Sequence, residues 1–313
     1  MQTFEPAALK YTYSAEHTPI GTVAPGERFT VVTRDCFTGR YEDPANFTPE
    51  TAAWVEDNLD GVTGPIAVDG AVAGEAVAVT IASVEVITPG CVVVSRCQAL
   101  SPADWWHEED HVVNVPVDDG VMRLADDWTV PLKPLIGCLA TMPARETVLS
   151  RHEDDEYLGN VDCREITAGA TVILPVAVDG AGLYFGDCKA ALGDGEVVCA
   201  PEIGARIIAS ASPARRPDSM GAPRVQTEGH LVTIVSGVSL ADSCRAAFRE
   251  LKLWLEDEWR LSSDEAAIVM GMGAHCGVGQ VSNRLHTAKC SIARSLLPGR
   301  NQQTNYREDA RGA

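Results

Sequence analysis

The chain has 313 residues, 45% hydrophobic and 22% charged, an ordinary globular mix with length enough for one or two domains. Its formal net charge of −19 repels phosphate backbones and anionic lipid heads, so nucleic acid and membranes are poor partners and a small neutral substrate fits best. An acidic, salt-adapted host proteome would account for the charge equally well.

The opening residues, Met1 to Tyr11, carry no basic stretch and no apolar run, and no segment approaches the roughly eighteen apolar residues of a spanning helix. The chain therefore reads as cytoplasmic. Ten cysteines lie scattered from Cys36 to Cys290 with no CxxC pair, a spacing that suits reduced, buried thiols better than a zinc ribbon or a disulfide framework.

Most of the first 240 residues read as β. Turns at Gly26, Gly74 and Gly169 each precede a run rich in β-branched residues, the last running through Val172, Ile173 and Leu174. Val77, Val79 and Ile81 alternate with smaller residues at the period of a half-buried strand. Ile66 to Ala71 and Val176 to Ala181 match each other and hint at a repeated β unit. Trp105 to His111 breaks the pattern as an excursion, and residues 212–224 form a Pro-rich connection or an exposed strand end.

Beyond Ser239 the pattern turns helical. Ser239 with Asp242 resembles a capping box, and Cys244, Phe248, Leu251 and Leu255 line one face of a helix predicted to about Arg260. Ser262 with Glu265 opens a shorter helix through about Met272, which Gly271, Gly273, Gly277 and Gly279 end. After Pro298 the tail is polar, either frayed or an oligomer arm. The expected fold is mainly β with C-terminal helices (α+β), its sheets forming a sandwich or barrel. Residues 1–238 make a β-rich body carrying the active site, 239–298 a helical part packed on the same body, and 299–313 the tail.

Chemistry concentrates in Gly159-Asn160-Val161-Asp162 and in the run from Gly186 to Glu196, where glycines and carboxylates flank the apolar Leu174-Pro175-Val176. Glycine lets backbone approach a ligand, and carboxylates act as bases or bind hard cations. The bland reading makes Gly193-Asp194-Gly195 an ordinary hairpin turn. Asp187 reads differently, because it follows Leu183-Tyr184-Phe185 at what looks like a strand end. Cys188 beside Lys189 offers an activated thiolate only if both side chains share a face, which neighbours on a strand do not.

Several strings resemble the acetamidase/formamidase family. They are Thr63-Gly64-Pro65-Ile66 with Asp69-Gly70-Ala71 and Gly74-Glu75, then Gly159-Asn160-Val161-Asp162, then Thr167-Ala168-Gly169 with Leu174-Pro175-Val176. Gly186-Asp187 through Gly193-Asp194-Gly195-Glu196 and Leu261 to Ala266 follow, all in family order over roughly residues 10–297. The resemblance implies a β-rich fold, hydrolysis of short carboxamides to an acid and ammonia, and a homo-oligomer. Amide hydrolysis needs an activated water and a stabilised oxyanion, roles that fall to Asp187, Glu196 and Asp162 for water activation or a cation, and to Lys189 or backbone N–H groups for the oxyanion. The resemblance also draws Asp35, His17 and Asn160 toward the substrate. Asp162, Asp187 and Asp194 are the expected ligands of a divalent metal, zinc or calcium.

The chain departs from the family where Lys189 stands in place of a common His, and where Tyr157-Leu158 replaces a His and a Gly. A protonated lysine offers three donors and no acceptor, and burial would draw its titration toward neutrality. The competing reading is a non-catalytic small-ligand-binding or scaffold protein that kept the fold and lost the histidines.

Overall fold

The computed structural model describes residues 1–5, 8–95 and 109–299. Trp105 to Glu108 of the expected excursion and residues 300–313 of the tail lie outside the described residues. Among the described residues strand accounts for 41% and helix for 16%, so the class is mainly β, with two of the three described α-helices near the C-terminus.

Alternation builds the body. In the strand Ala76–Val86, Val77, Val79, Ile81 and Val84 are buried while Thr80, Ala82 and Glu85 face out. This strand sits inside a nine-stranded sheet that runs Gln2–Phe4, Arg28–Val32, Ala205–Ala214, Ala76–Val86, Thr171–Pro175, Arg224–Gln226, His230–Gly237, His286–Ala293, Ala274–Val278. A second nine-stranded sheet is organised around Leu183–Lys189, which pairs with Leu135–Ala140, Glu202–Ile203 and Val62–Val68. Val79, Ile81, Val172, Leu174 and Ile207 from the first sheet share one core with Ile136, Leu139, Leu183 and Phe185 from the second. The packing is that of a sandwich, one of the two arrangements, sandwich or barrel, expected from the sequence.

The two matched segments meet. Val68 N–H donates to Gly180 O at 2.9 Å and Gly180 N–H donates to Ala71 O at 2.8 Å, so the repeat juxtaposes two like turns.

Helix α1 (Pro49–Asp57) was not anticipated, although Thr48 caps it through Thr51 N–H and Pro49 opens it, a signal legible in the chain. Helices α2 (Leu240–Glu258) and α3 (Ser263–Gly273) fall where expected. Ser239 caps α2 by accepting from Asp242 N–H, whereas Ser262 and Glu265 complete a reciprocal capping box on α3. The buried face of α2 is Ser243, Ala247, Leu251, Trp254 and Leu255, one position off the predicted stripe, because the bulk of Trp254 and the small Ala247 set the approach to the sheet. That face packs on Leu231, Val235, Cys290 and Ile292, while Val232 and Ile234 point the other way into the sandwich. The C-terminal part is not all helix: Ala274–Val278 and His286–Ala293 are strands that finish the first sheet. Among the described residues no helix is long and apolar enough to cross a membrane.

Candidate active site

The strand Leu183–Lys189 is buried along its whole length and delivers Asp187 and Lys189 to one point. Cys188, between them, turns into the main core, as strand alternation requires. Asp187 lies within the strand rather than at its end, and its φ of +50° departs from extended backbone. On the neighbouring strand Gly137 lies between the pairs Ile136↔Cys188 and Cys138↔Gly186. A Cβ at Gly137 would collide with the carboxylates of both Asp162 and Asp187, so glycine is required there.

Four carboxylates converge on the Lys189 ammonium. Nζ lies 2.7 Å from Asp187 Oδ2, 2.8 Å from Asp162 Oδ1, and 3.4 Å from both Glu196 Oε1 and Glu202 Oε1. Asp162 follows the strand Leu158–Asn160, Glu202 starts the strand paired with Lys189, and Glu196 is held by Ser282 Oγ–H at 2.8 Å. A fifth acid, Asp60, accepts from Asn160 Nδ2 at 3.0 Å. Asp60, Asp162, Asp187 and Glu196 all have positive φ, at 57°, 46°, 50° and 45°, a conformation that non-glycine residues hold only when their surroundings impose it.

A cavity of about 630 Å³ opens onto this cluster. Asp60, Asp187, Lys189, Glu196 and Glu202 form its polar wall, and Phe37, Tyr41, Phe47 and Val55 lie on its apolar side. Asp187 Oδ1, Glu202 Oε2 and Asn160 Oδ1 are buried without a hydrogen-bond partner. Buried oxygens of this kind are costly unless a ligand, ion or proton answers them.

Burial, and then the charge of Asp187, pushes the Asp60 carboxyl well up; burial and then Glu196 does the same to Asp162. Burial also raises Glu202, aided by the Asp187 charge and a hydrogen bond with Asp187 against the lowering pull of Lys189. Each of these shifts favours the neutral acid over the carboxylate. Lys189 behaves oppositely to the expectation of a near-neutral amine. Burial lowers its titration, but Asp162, Asp187, Glu202 and Glu196 outweigh burial and carry it well above an ordinary lysine. Its three N–H groups face four carboxylates, which disfavours it as the oxyanion donor. Burial pushes the Cys188 thiol up to about 12, which disfavours a thiolate there.

Of the residues singled out from the sequence, Asp162, Asp187, Lys189 and Glu196 come together, and Asn160 lines the same cavity. Asp35 is buried elsewhere, accepting from Gly39 N–H at 3.0 Å within its own turn. His17 meets the Tyr184 hydroxyl through Nδ1 at 3.0 Å, away from the cavity lining. Asp194 joins Lys289 at 2.7 Å and Arg164 at 3.1 Å and does not reach Asp162 or Asp187 as a co-ligand. Asp60, Glu202 and Gly137 were missed. Each is a single residue in an unremarked string, brought in by long-range pairing alone.

One cluster among the described residues could hold a metal ion: Cys36, Asp60 and Asp187, whose ligand atoms lie within 4.8 Å of one another. Only Asp187 belongs also to the expected ligand set. Among the described residues no two cysteines are joined by a disulfide.

The overall fold is similar to that of several solved amidases. An acetamidase from Bacillus halodurans superposes with a TM-score of 0.84 at 25% identity, covering 93% of this chain and 97% of that one. A recombinant predicted acetamidase/formamidase from Thermoanaerobacter tengcongensis gives 0.86 at 25% identity, covering 94% and 96%. A gamma lactamase from Delftia acidovorans shares the fold at 0.61, with 14% identity and coverage of 93% and 91%. Residues 129–211 match the model of the Acetamidase/Formamidase family, a stretch that includes Gly137, Asn160, Asp162, Asp187, Lys189, Glu196 and Glu202. The family resemblance read in the sequence is thereby borne out. No curated protein matches the chain.

Proposed function

We propose that the chain is an amidase that hydrolyses the C–N bond of a small, neutral carboxamide to a carboxylic acid and ammonia or an amine at the Asp187–Lys189 cluster. The observation that carries this reading is the cavity into which Asp187 Oδ1, buried and unpartnered, and a set of raised carboxyls open together. Amide hydrolysis requires a base for water, a proton for the departing amine and charge for the tetrahedral oxyanion.

Asp187 takes the base role. Lys189 fixes its Oδ2 at 2.7 Å, leaving Oδ1 to accept the proton of an attacking water. Glu202, which burial keeps toward the neutral acid, supplies a proton to the leaving amine. Glu196, whose side chain is 13% exposed and bonded to Ser282, lies on the solvent side of the cluster. Asp162 holds the ammonium from its other side. With Lys189 engaged by carboxylates, backbone N–H groups stabilise the oxyanion.

Cys36, Asp60 and Asp187 would hold a metal, and a thiol beside two carboxylates suits zinc better than calcium. Burial raises the Cys36 thiol, so a bound cation would have to displace its proton. Bound there, such an ion supplies positive charge that polarises the amide carbonyl. The body 1–238 and the part 239–298 serve one site, since Ser282 and Asn283 line the same cavity as Asp187. A cytoplasmic homo-oligomer accords with the family resemblance.

The test is ammonia release from a panel of primary amides and lactams, with and without chelator. Cleavage of at least one amide supports the reading, and loss of rate after chelation with recovery on adding zinc supports the metal. Binding of amides with no product from any of them overturns it in favour of a non-catalytic protein.

A further inference from the structure

The Lys189 ammonium is surrounded as a bound cation would be. Carboxylates from four separate chain positions, Asp162, Asp187, Glu196 and Glu202, approach Nζ within 3.4 Å, and the lysine side chain is 2% exposed. An ammonium has three N–H donors. Four acids are therefore more than it can satisfy, and Asp187 Oδ1 and Glu202 Oε2 remain buried with no N–H or hydroxyl donor, only each other's carboxyl group nearby. A lone structural lysine needs one acid, or two. Carboxylate oxygens converging from several elements on one buried point are instead the donor set of a hard divalent cation, which takes six to eight oxygens.

We propose that Lys189 is a built-in cation: its Nζ fills a subsite formed by Asp162, Asp187, Glu196 and Glu202 that would otherwise take an oxygen-preferring divalent ion. This subsite is separate from the Cys36–Asp60–Asp187 cluster and shares only Asp187 with it. The single charge of the ammonium is weaker than that of a divalent ion but cannot dissociate, so Asp187 and Asp162 stay oriented whatever the cation supply. The inference does not depend on the reaction catalysed.

The prediction follows from volume and charge. Lys189→Ala removes the ammonium and leaves room for an ion with its waters. Lys189→Met removes the charge but fills the space with an apolar chain of similar length. Calcium and manganese(II) are the probes, since both prefer oxygen donors and discriminate against the thiol-bearing cluster. Each protein is refolded from denaturant with and without the ion, then assayed for bound ion after dialysis and for thermal midpoint. Lys189→Ala should bind one more ion per chain than the parent. Its midpoint should rise by about 5 °C or more at a hundred-fold excess over Kd. Lys189→Met should gain neither. Equal ion content in Lys189→Ala and parent, or refolding of Lys189→Ala that is no better with the ion than without it, overturns the proposal.

Discussion

Two buried lysines in this protein carry their charge in opposite ways. Lys289 meets Glu165 Oε1 and Oε2 at 2.8 Å each and Asp194 Oδ1 at 2.7 Å, three acceptors for three donors. That cluster is matched internally, and Arg164 joins it at the surface. Lys189 faces four acids, with buried oxygens left over, acid residues at positive φ and a cavity alongside. The first arrangement is complete in itself and stabilises the fold. The second is overcommitted in acid and strained in backbone, which is how a site prepared for another component differs from a structural ion pair. Burial of a charged pair does not separate the two; the balance of donors and acceptors does.

The comparison breaks most sharply at Asp187. Asp187→Asn removes the base and should lower kcat by about 10²- to 10⁴-fold, with the folded state retained by circular dichroism. Retention of parental rates would remove Asp187 from the mechanism.

Glu153 sharpens the comparison from a third direction, as a buried acid held by the Leu285 N–H at 2.6 Å rather than by a lysine. Burial pushes it up to about 7, against the lowering effects of Leu285, Arg284 and Asn283. The folded chain thus keeps a proton that the unfolded chain releases above about pH 4.5. Its contribution to stability is full below that pH and is lost as pH rises through 7. Glu153→Gln stays neutral and should flatten the decline of stability between about pH 5 and 8 by up to roughly 3 kcal/mol, measured by denaturant titration. An unchanged pH profile would contradict the burial argument.

The smallest effect belongs to the matched cluster. Asp194 is partly exposed, and Asp194→Asn should cost about 1 kcal/mol of stability while leaving turnover unchanged.

Much of this was legible before the fold. Alternation at Val77, Val79 and Ile81 revealed strands, and Ser262 with Glu265 marked a helix start, because both signals are local. Asp162, Asp187, Lys189 and Glu196 were reachable because motifs of the resembled family lie on them. Asp60 and Glu202 were not, since the former arrives beside Asn160 and the latter beside Lys189 only through pairing across distant chain segments. Asp194 misled for the same reason: its Gly-Asp-Gly context sits near Glu196 in sequence, yet its carboxylate turns to Lys289 on another strand. His17 and Asp35 were drawn in by resemblance, and their side chains answer local hydrogen bonds instead.

The most direct measurement of the central claim is ammonia release by the parent, Asp187→Asn and Asp194→Asn proteins, assayed side by side on the parent's best amide. The account predicts near-complete loss in Asp187→Asn and parental kcat/KM in Asp194→Asn. Equal activity in the two variants, or the larger loss in Asp194→Asn, would contradict it.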